Sequence, residues 1–302
     1  RYSRIVPPAT APRVMENLSM IQKQINHLIY EINKSKWVDD KMIGCAAIIL
    51  AGLAYNEKDK YLAFGLNLLK KIINISFDKE GFPKTRNIQQ LIFYLKYFVL
   101  IREWFKEAQV TIPDQVNETI NYLGQSYAFI WQSIKSDILF NGNNISNNSE
   151  FDHYLKRFGY TFKNENRELG GYAILKNKKI SLIMDVGNSP NLNFSKDYQS
   201  GAMSFEIISN GKKLITNCGY YDKKNIKLKQ LSKSTATHSA LSIDDHSICH
   251  FKKINEHNLI LNNELKILKK ARESQLELNN KQTFDKNLDN VDVISDENIK
   301  SQ

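Results

Sequence analysis

The feature that most constrains this chain is a change of hydrophobic period partway along it. From residue 14 to 157 the apolar residues recur at helical spacing, and from Gly171 onward they alternate. Two periods demand two kinds of packing surface, so the chain reads as multi-domain α+β, with a helical domain over 1–160 and a β domain over 161–302. Val14 to Asn33 places Leu18, Ile21, Ile25, Leu28 and Ile29 on one helix face. Asp39 or Asp40 is expected to cap a second helix running to Tyr55. Residues 58–75, 88–108 and 113–138 continue the pattern, with Pro113 suited to a helix start. A polar stretch, NGNNISNNSE, then leads to a short helix through Tyr154 to Phe158. Periodicity alone allows either a ring of helix pairs or an ordinary bundle.

The second half reads as strands: GYAILKN, KKISLIMDVG, GAMSFEIISNG, KKLITNCG, HSALSIDD and HSICHFKK, followed by NLILNN and KILKKARESQLELNN. Asn210 and Gly211 form a two-residue hairpin signal, because both tolerate positive φ. The span from Gln199 to Ile243 is expected to give an exposed sheet face, with His238 heading a Ser/Thr-rich strand from which a polar residue can reach a ligand.

At 302 residues the chain can bury a substantial core in two domains. It opens on Arg1 and closes on a charged run, so it is expected to be a piece of a longer protein. Lys and Arg total 42 against 32 Asp and Glu, a net +10 that suits an anionic partner. Lysine is spread along the chain with no basic block interleaved with aromatics, which argues against nucleic acid. KNKK (176–179) and KLKQLSK (227–233) read as solvated turns or strand ends. Met42 to Tyr55, the longest apolar run, is too short to span a bilayer. The three cysteines lack C-x-x-C spacing: Cys45 reads as core, and Cys218 and Cys249 pair only if two strands bring them together. His246, Cys249 and His250 read as hairpin surface rather than metal ligands. Trp37, Trp104 and Trp131 sit at core-like helical spacing, and one of them could serve as a sugar platform. Phosphate-loop and G-x-S-x-G patterns are absent.

Three motifs then occur in a telling order. GAMSFEI, GKKLITNCG and TATHSAL resemble H-A-D-x-L-S-F-E-L, L-V-D-P-G and A-A-H-N-T-V of the heparinase II/III-like polysaccharide lyases. EGFPKTRN (Glu80 to Asn87) and FNG (Phe140 to Gly142) resemble weaker landmarks of that family's helical domain, so the likeness covers roughly Asp78 to Phe251. The resemblance implies an α/α toroid-like helical domain followed by an antiparallel β-sandwich that continues beyond this chain. It also implies β-elimination on an acidic, uronate-containing polysaccharide such as a glycosaminoglycan, in the periplasm or cell envelope. A base removes the C5 proton, a donor or cation neutralises the adjacent carboxylate, and an acid protonates the leaving oxygen. In the family, Asn, Tyr and His fill these roles in a cleft between toroid and sandwich, and a His-Asp-His metal supports the sandwich side. The alternatives are a catalytically impaired glycan-binding or envelope glycan-processing protein that keeps the fold, or a structural module with a basic face.

Carried over residue by residue, the resemblance puts His238 at one metal-ligand histidine, with Gln199 and Asn217 at the other two positions. One imidazole and two neutral amides are a poor ligand set, so no cofactor and no tightly held transition metal are expected, at most a weak divalent ion. Asp197 stands where the family can carry a catalytic histidine, with Tyr198 beside it. Arg86 and Asn87 fall at cleft positions at the start of a helix, Arg86 to pair with a uronate carboxylate and Asn87 to donate to it, or equally as a solvated arginine and a helix cap. The family tyrosine that follows is replaced by Gln89, Gln90 and Leu91, which leaves Tyr172 and Tyr198 as substitutes with half-buried rings. The expected catalytic set is His238, Asn87, Arg86 and Tyr198, and the expected substrate contacts are Asn141, Tyr172, Asp197 and Gln199. Asn141 reads more readily as a simple turn than as a cleft contact.

Overall fold

The computed structural model describes residues 11–55, 58–132, 134, 136–144, 148–223, 225–242, 246–253 and 259–264. The chain divides into two units, one formed by Arg1–Asp137 and Ser146–Gly170, the other by Ile138–Ile145 and Gly171–Gln302.

The first unit is helical: α1 (Ala11–Lys34), α2 (Val38–Ala54), α3 (Lys58–Ser76), α4 (Ile88–Glu107), α5 (Asp114–Tyr127) and α6 (Asn148–Arg157), with a two-residue strand, β1, at Glu168–Leu169. Helix α2 is apolar nearly all round, and Met42, Cys45, Ile48 and Ile49 are fully buried, as a central helix requires. Ile25 and Ile32 of α1 and Tyr61 of α3 join Ile48 and Ala51 in one cluster. Gly52 allows the close approach of α3, since a Cβ there would lie 2.6 Å from the backbone nitrogen of Leu62.

Several helix expectations change in detail. Trp37, not an aspartate, occupies the N-cap of α2 and makes no side-chain cap; it is an exposed residue rather than a core one. Asp39 instead accepts hydrogen bonds from Tyr94 Oη (2.8 Å) and Gln90 Nε2 (2.9 Å), tying α2 to α4. The helix expected over 113–138 ends at Tyr127 and continues as a π-helical turn, Ala128–Gln132. Asp152 of α6 accepts from Tyr127 Oη and Trp131 Nε1 on either side of that change.

In the second unit, β2 (Tyr172–Lys176), β3 (Ile180–Asp185), β4 (Phe205–Ser209) and β5 (Lys212–Ile215) pair antiparallel in sequence order. Asn210 and Gly211 join β4 to β5 with φ of 48° and 76°, as the hairpin signal requires. A separate pair, β6 (Cys249–Lys253) and β7 (Leu259–Glu264), completes the described strands. HSALSIDD does not form a strand in its described residues. The segment before it, read as solvated turns, is a helix, α7 (Ile226–Lys233), followed by a 3₁₀ turn at Thr235–Thr237. Asn225 caps α7 by accepting from Lys227 and Leu228. KILKKARESQLELNN lies outside the described residues. All three cysteines are free.

The expected exposed polar face is also overturned. Register places Tyr172 opposite Asp185 and Ile183 opposite Glu206, and these side chains all point to the buried face. Leu139 donates its backbone N–H to Glu206, and the Asn141 side chain donates to Tyr172 and Asp185.

Candidate functional site

In the first unit, EGFPKTRN folds as a tight loop between α3 and α4. Asp78 Oδ1 accepts from the backbone of Glu80 and Phe82, and Phe77 bridges to Pro83. The loop ends on Arg86, a non-glycine residue at φ 59°. Its side chain is only 7% exposed, and Nε donates to the carbonyl of Gly170 at 3.3 Å. An arginine so engaged is placed to hold the loop rather than to clamp a ligand. Asn87 is the N-cap of α4, its Oδ1 accepting from Gln89 N at 2.9 Å. That bond fixes the amide so that the oxygen faces the helix and Nδ2, with no partner among the described residues, faces away from it. The cap and donor readings of Asn87 are therefore two ends of one amide. A chain of hydrogen bonds backs this corner: Thr85 Oγ1 to Gln90, Gln90 to Asp39, and Tyr94 to Asp39. Burial and the Asp39 carboxylate hold the Tyr94 phenol well above its usual range, so it is a fixed donor. The sequence offered Asp39 only as a helix cap and did not single out Tyr94, because their pairing is a contact across helices.

The second unit gathers Asn141, Tyr172, Gln199, Asn217 and His238. Asn141 and Gly142 form a turn with φ of 43° and 86°. Asn141 Nδ2 donates to Tyr172 Oη (2.7 Å) and Asp185 Oδ2 (3.0 Å), using both of its hydrogens. Glu206, fully buried, accepts from the backbone of Leu139 and Asn217 and from Thr216, and pairs with Lys213 Nζ at 3.1 Å. Asp185 and Glu206 were legible only as alternate strand positions; nothing in their spacing marked them as buried carboxylates. Tyr172 and Tyr198 are both fully buried, not half buried as expected. Tyr198 belongs to a core cluster with Ala202, Ile248, Cys249 and Leu261, and its Oη accepts from Ser189, so it has no surface to offer a substrate.

His238 caps the 3₁₀ turn, with Nε2 3.2 Å from the carbonyl oxygen of Ser232. A carbonyl only accepts, so Nε2 carries the proton and Nδ1 keeps its lone pair. Burial pulls the imidazole down to about 4, and the Ser232 carbonyl and the Asp185 charge offset this only in part. It is neutral at physiological pH.

The metal that the resemblance implies does not fit these residues. Gly142 N donates to Gln199 Oε1, which turns the amide nitrogen inward to donate to Ser232 O (2.6 Å) and Gly219 O (3.0 Å). Ser239 N takes Asn217 Oδ1, leaving Nδ2 buried and without a partner. Gln199 and His238 thus both direct N–H groups at the Ser232 carbonyl, and a cation needs lone pairs, not donors. Among the described residues no group of three His, Cys, Asp or Glu side chains could hold a metal ion.

Asp197 lies beside a buried cation rather than in an open loop. Lys233 is 1% exposed; its Nζ donates to Lys196 O (2.7 Å) and Tyr198 O (2.6 Å) and stands 4.5 Å from the centre of the Phe251 ring. Burial lowers this ammonium to about 7 against the pull of the Asp197 carboxylate, which serves as its countercharge. Arg86 and Asn87 belong to the first unit, and Asn141, Tyr172, Asp197, Tyr198, Gln199, Asn217 and His238 to the second.

Residues 165–279 match a protein family described as heparinase II/III-like, C-terminal. No curated protein sequence matches the chain. Among solved structures, a heparinase III gene product with methylated lysines superposes with a TM-score of 0.67 at 16% identity, over 80% of this chain and 42% of its own. A second heparinase III structure gives 0.62 at 16%, over 80% and 45%. A heparan sulfate lyase from Pedobacter heparinus gives 0.63 at 15%, over 82% and 44%. This chain spans less than half the length of each, and at such identities the likeness is one of fold. The chain thus resembles the heparinase II/III-like proteins in sequence over residues 165–279 and in fold over 80% of its length.

Proposed function

We propose that this protein acts on an acidic, uronate-containing polysaccharide by β-elimination, as part of a longer lyase in which the helices belong to an α/α toroid and the sheet to a β-sandwich. The observation that carries the reading is the neutral His238, held with Nδ1 unprotonated inside a segment that matches the heparinase II/III-like family. In this reading His238 Nδ1 takes the C5 proton of the uronate. The freed electron pair forms the C4=C5 bond as C4–O4 breaks, and the imidazolium returns the proton to the departing oxygen. Asn87, in the first unit, offers its Nδ2 as a neutral donor to a uronate carboxylate. A bound uronate beside His238 raises its low pKa toward the range a base needs. Arg86 is a positioning residue that holds the loop bearing Asn87. Asn141 offers a buried Oδ1 without a partner, an acceptor for a sugar hydroxyl or a water. Tyr172 and Gln199 hold that neighbourhood in shape. No metal enters the reaction, and the periplasm or cell envelope is the compartment proposed.

Incubation of the full-length protein with heparan sulfate, heparosan and polygalacturonate tests this. Elimination creates an unsaturated uronate, so absorbance at the ultraviolet edge rises with time for at least one polymer and stays flat with His238→Ala. Measurable binding without any absorbance change would sink the lyase reading and leave a glycan-binding protein.

A further inference from the structure

The first unit contains a cleft of about 720 Å³ that none of the residues discussed above as catalytic enters. Its walls come from the C-terminal half of α3 (Lys70, Ile73, Asn74), the loop at 77–84 and α5 (Gln115, Glu118, Tyr122). The floor is apolar, with Phe77 and Leu123 buried. Tyr122 is 50% exposed and lies against Gly81, where a Cβ would come 2.5 Å from Tyr122 Cβ. Gly81, at φ 77°, therefore lets the loop turn while leaving the tyrosine ring its place.

The rim carries amides from Asn74 and Gln115, cations from Lys70, Lys79 and Lys84, and the carboxylates of Asp78 and, on the α5 side, Glu118. Lys84 is spent on the carbonyl of Asn74, and Asp78 Oδ1 is spent on two backbone N–H groups. Lys70 and Lys79 remain exposed, without a described partner. A half-exposed aromatic face, amides around it and two uncommitted ammonium groups match an amphipathic ring that bears an anion. The ring's C–H face stacks on tyrosine, its hydroxyls meet the amides, and its carboxylate meets lysine.

We infer that this cleft is a binding subsite for an anionic saccharide unit, with Tyr122 as the platform and Lys70 and Lys79 as the charge readers. The inference rests on the proposed polysaccharide substrate but requires no cleavage at this site.

Calorimetric titration of the full-length protein with heparosan tetrasaccharide, whose only anions are carboxylates, tests it against neutral maltotetraose. Tyr122→Ala and the Lys70→Ala/Lys79→Ala pair should each weaken heparosan binding about tenfold, while Tyr122→Phe retains it. Added salt should weaken the wild type more than the double lysine variant. Absence of heparosan binding, equal binding of maltotetraose, or unchanged affinity in both variants with unchanged melting overturns the subsite. Unchanged affinity and unchanged KM in variants that still eliminate would remove the subsite and leave the lyase reading standing. Variant-sensitive binding with no elimination by the wild type would do the reverse.

Discussion

Asn87 and His238 each commit one polar atom to the fold and leave the other for the role proposed above. Asn87 spends its oxygen on the first turn of α4 and keeps its amide hydrogens. Asn87→Ser should preserve the cap and melt within a few tenths of a kcal/mol of wild type, whereas Asn87→Ala should lose about 1 kcal/mol. Both should lose elimination activity, which separates donor from cap; a serine variant that cleaves normally refutes the donor role. His238 has the opposite division, with Nε2 committed to Ser232 and the lone pair of Nδ1 left over, the atom proposed as the base. Its pKa falls from an ordinary 6.5 to about 4 in the folded chain, so as pH drops through that window the unfolded chain takes up the proton first. Its contribution is therefore complete above 6.5 and lost as pH falls toward 4. His238→Asn should flatten this part of the melting profile, and the acid limb of kcat/KM in the wild type should lie well below pH 6.5. An acid limb at 6.5 with a pH-independent melting difference would contradict the assignment.

At the scale of elements, the second unit is joined by buried polar groups at the points where its segments meet. Gln199 links the turn at Gly142, the irregular segment after β5 at Gly219 and the last turn of α7 at Ser232. Glu206 does the same for Leu139, Asn217 and Lys213. Removing Gln199 strands one buried N–H and weakens two carbonyls, so Gln199→Ala should destabilise by about 3 kcal/mol in urea unfolding. Neither zinc nor EDTA should alter the midpoint of the wild type or of the variant; a zinc-dependent rise in the wild type would show that the knot around Ser232 opens to a metal. The strand expected at His238 failed for a related reason. Ser, Thr and Asn side chains bond readily to backbone, and here Asn225 caps a helix, Thr237 Oγ1 donates to the Ser234 carbonyl in the turn that follows, and Thr235 Oγ1 donates to Ser200 O and accepts from Ile248 N.

For the whole molecule, the net charge of +10 is a property of composition, and the structure spends it unevenly. Lys233 is buried against Asp197 and two backbone carbonyls, and Lys213 neutralises Glu206, so neither attracts a polyanion. Lys70 and Lys79 stay exposed beside an apolar floor, where a cation can be read together with a ring. Binding of an acidic glycan should accordingly follow those positions rather than total charge.

The sequence by itself determined the change from helices to antiparallel strands, the Asn210-Gly211 hairpin, the cap at Asn87 and the family resemblance. Each depends on neighbours within a few residues or on the order of short motifs, and a chain displays that information directly. It could also show that Gln199 and Asn217 are amides. Only the tertiary structure decided which way those amides face, that the Ser232 carbonyl receives the donors of Gln199 and His238, and that Tyr198 is core. Such outcomes depend on which distant groups fill the hydrogen-bonding capacity of a buried atom. Residues 142, 199, 217, 232 and 238 meet only after folding.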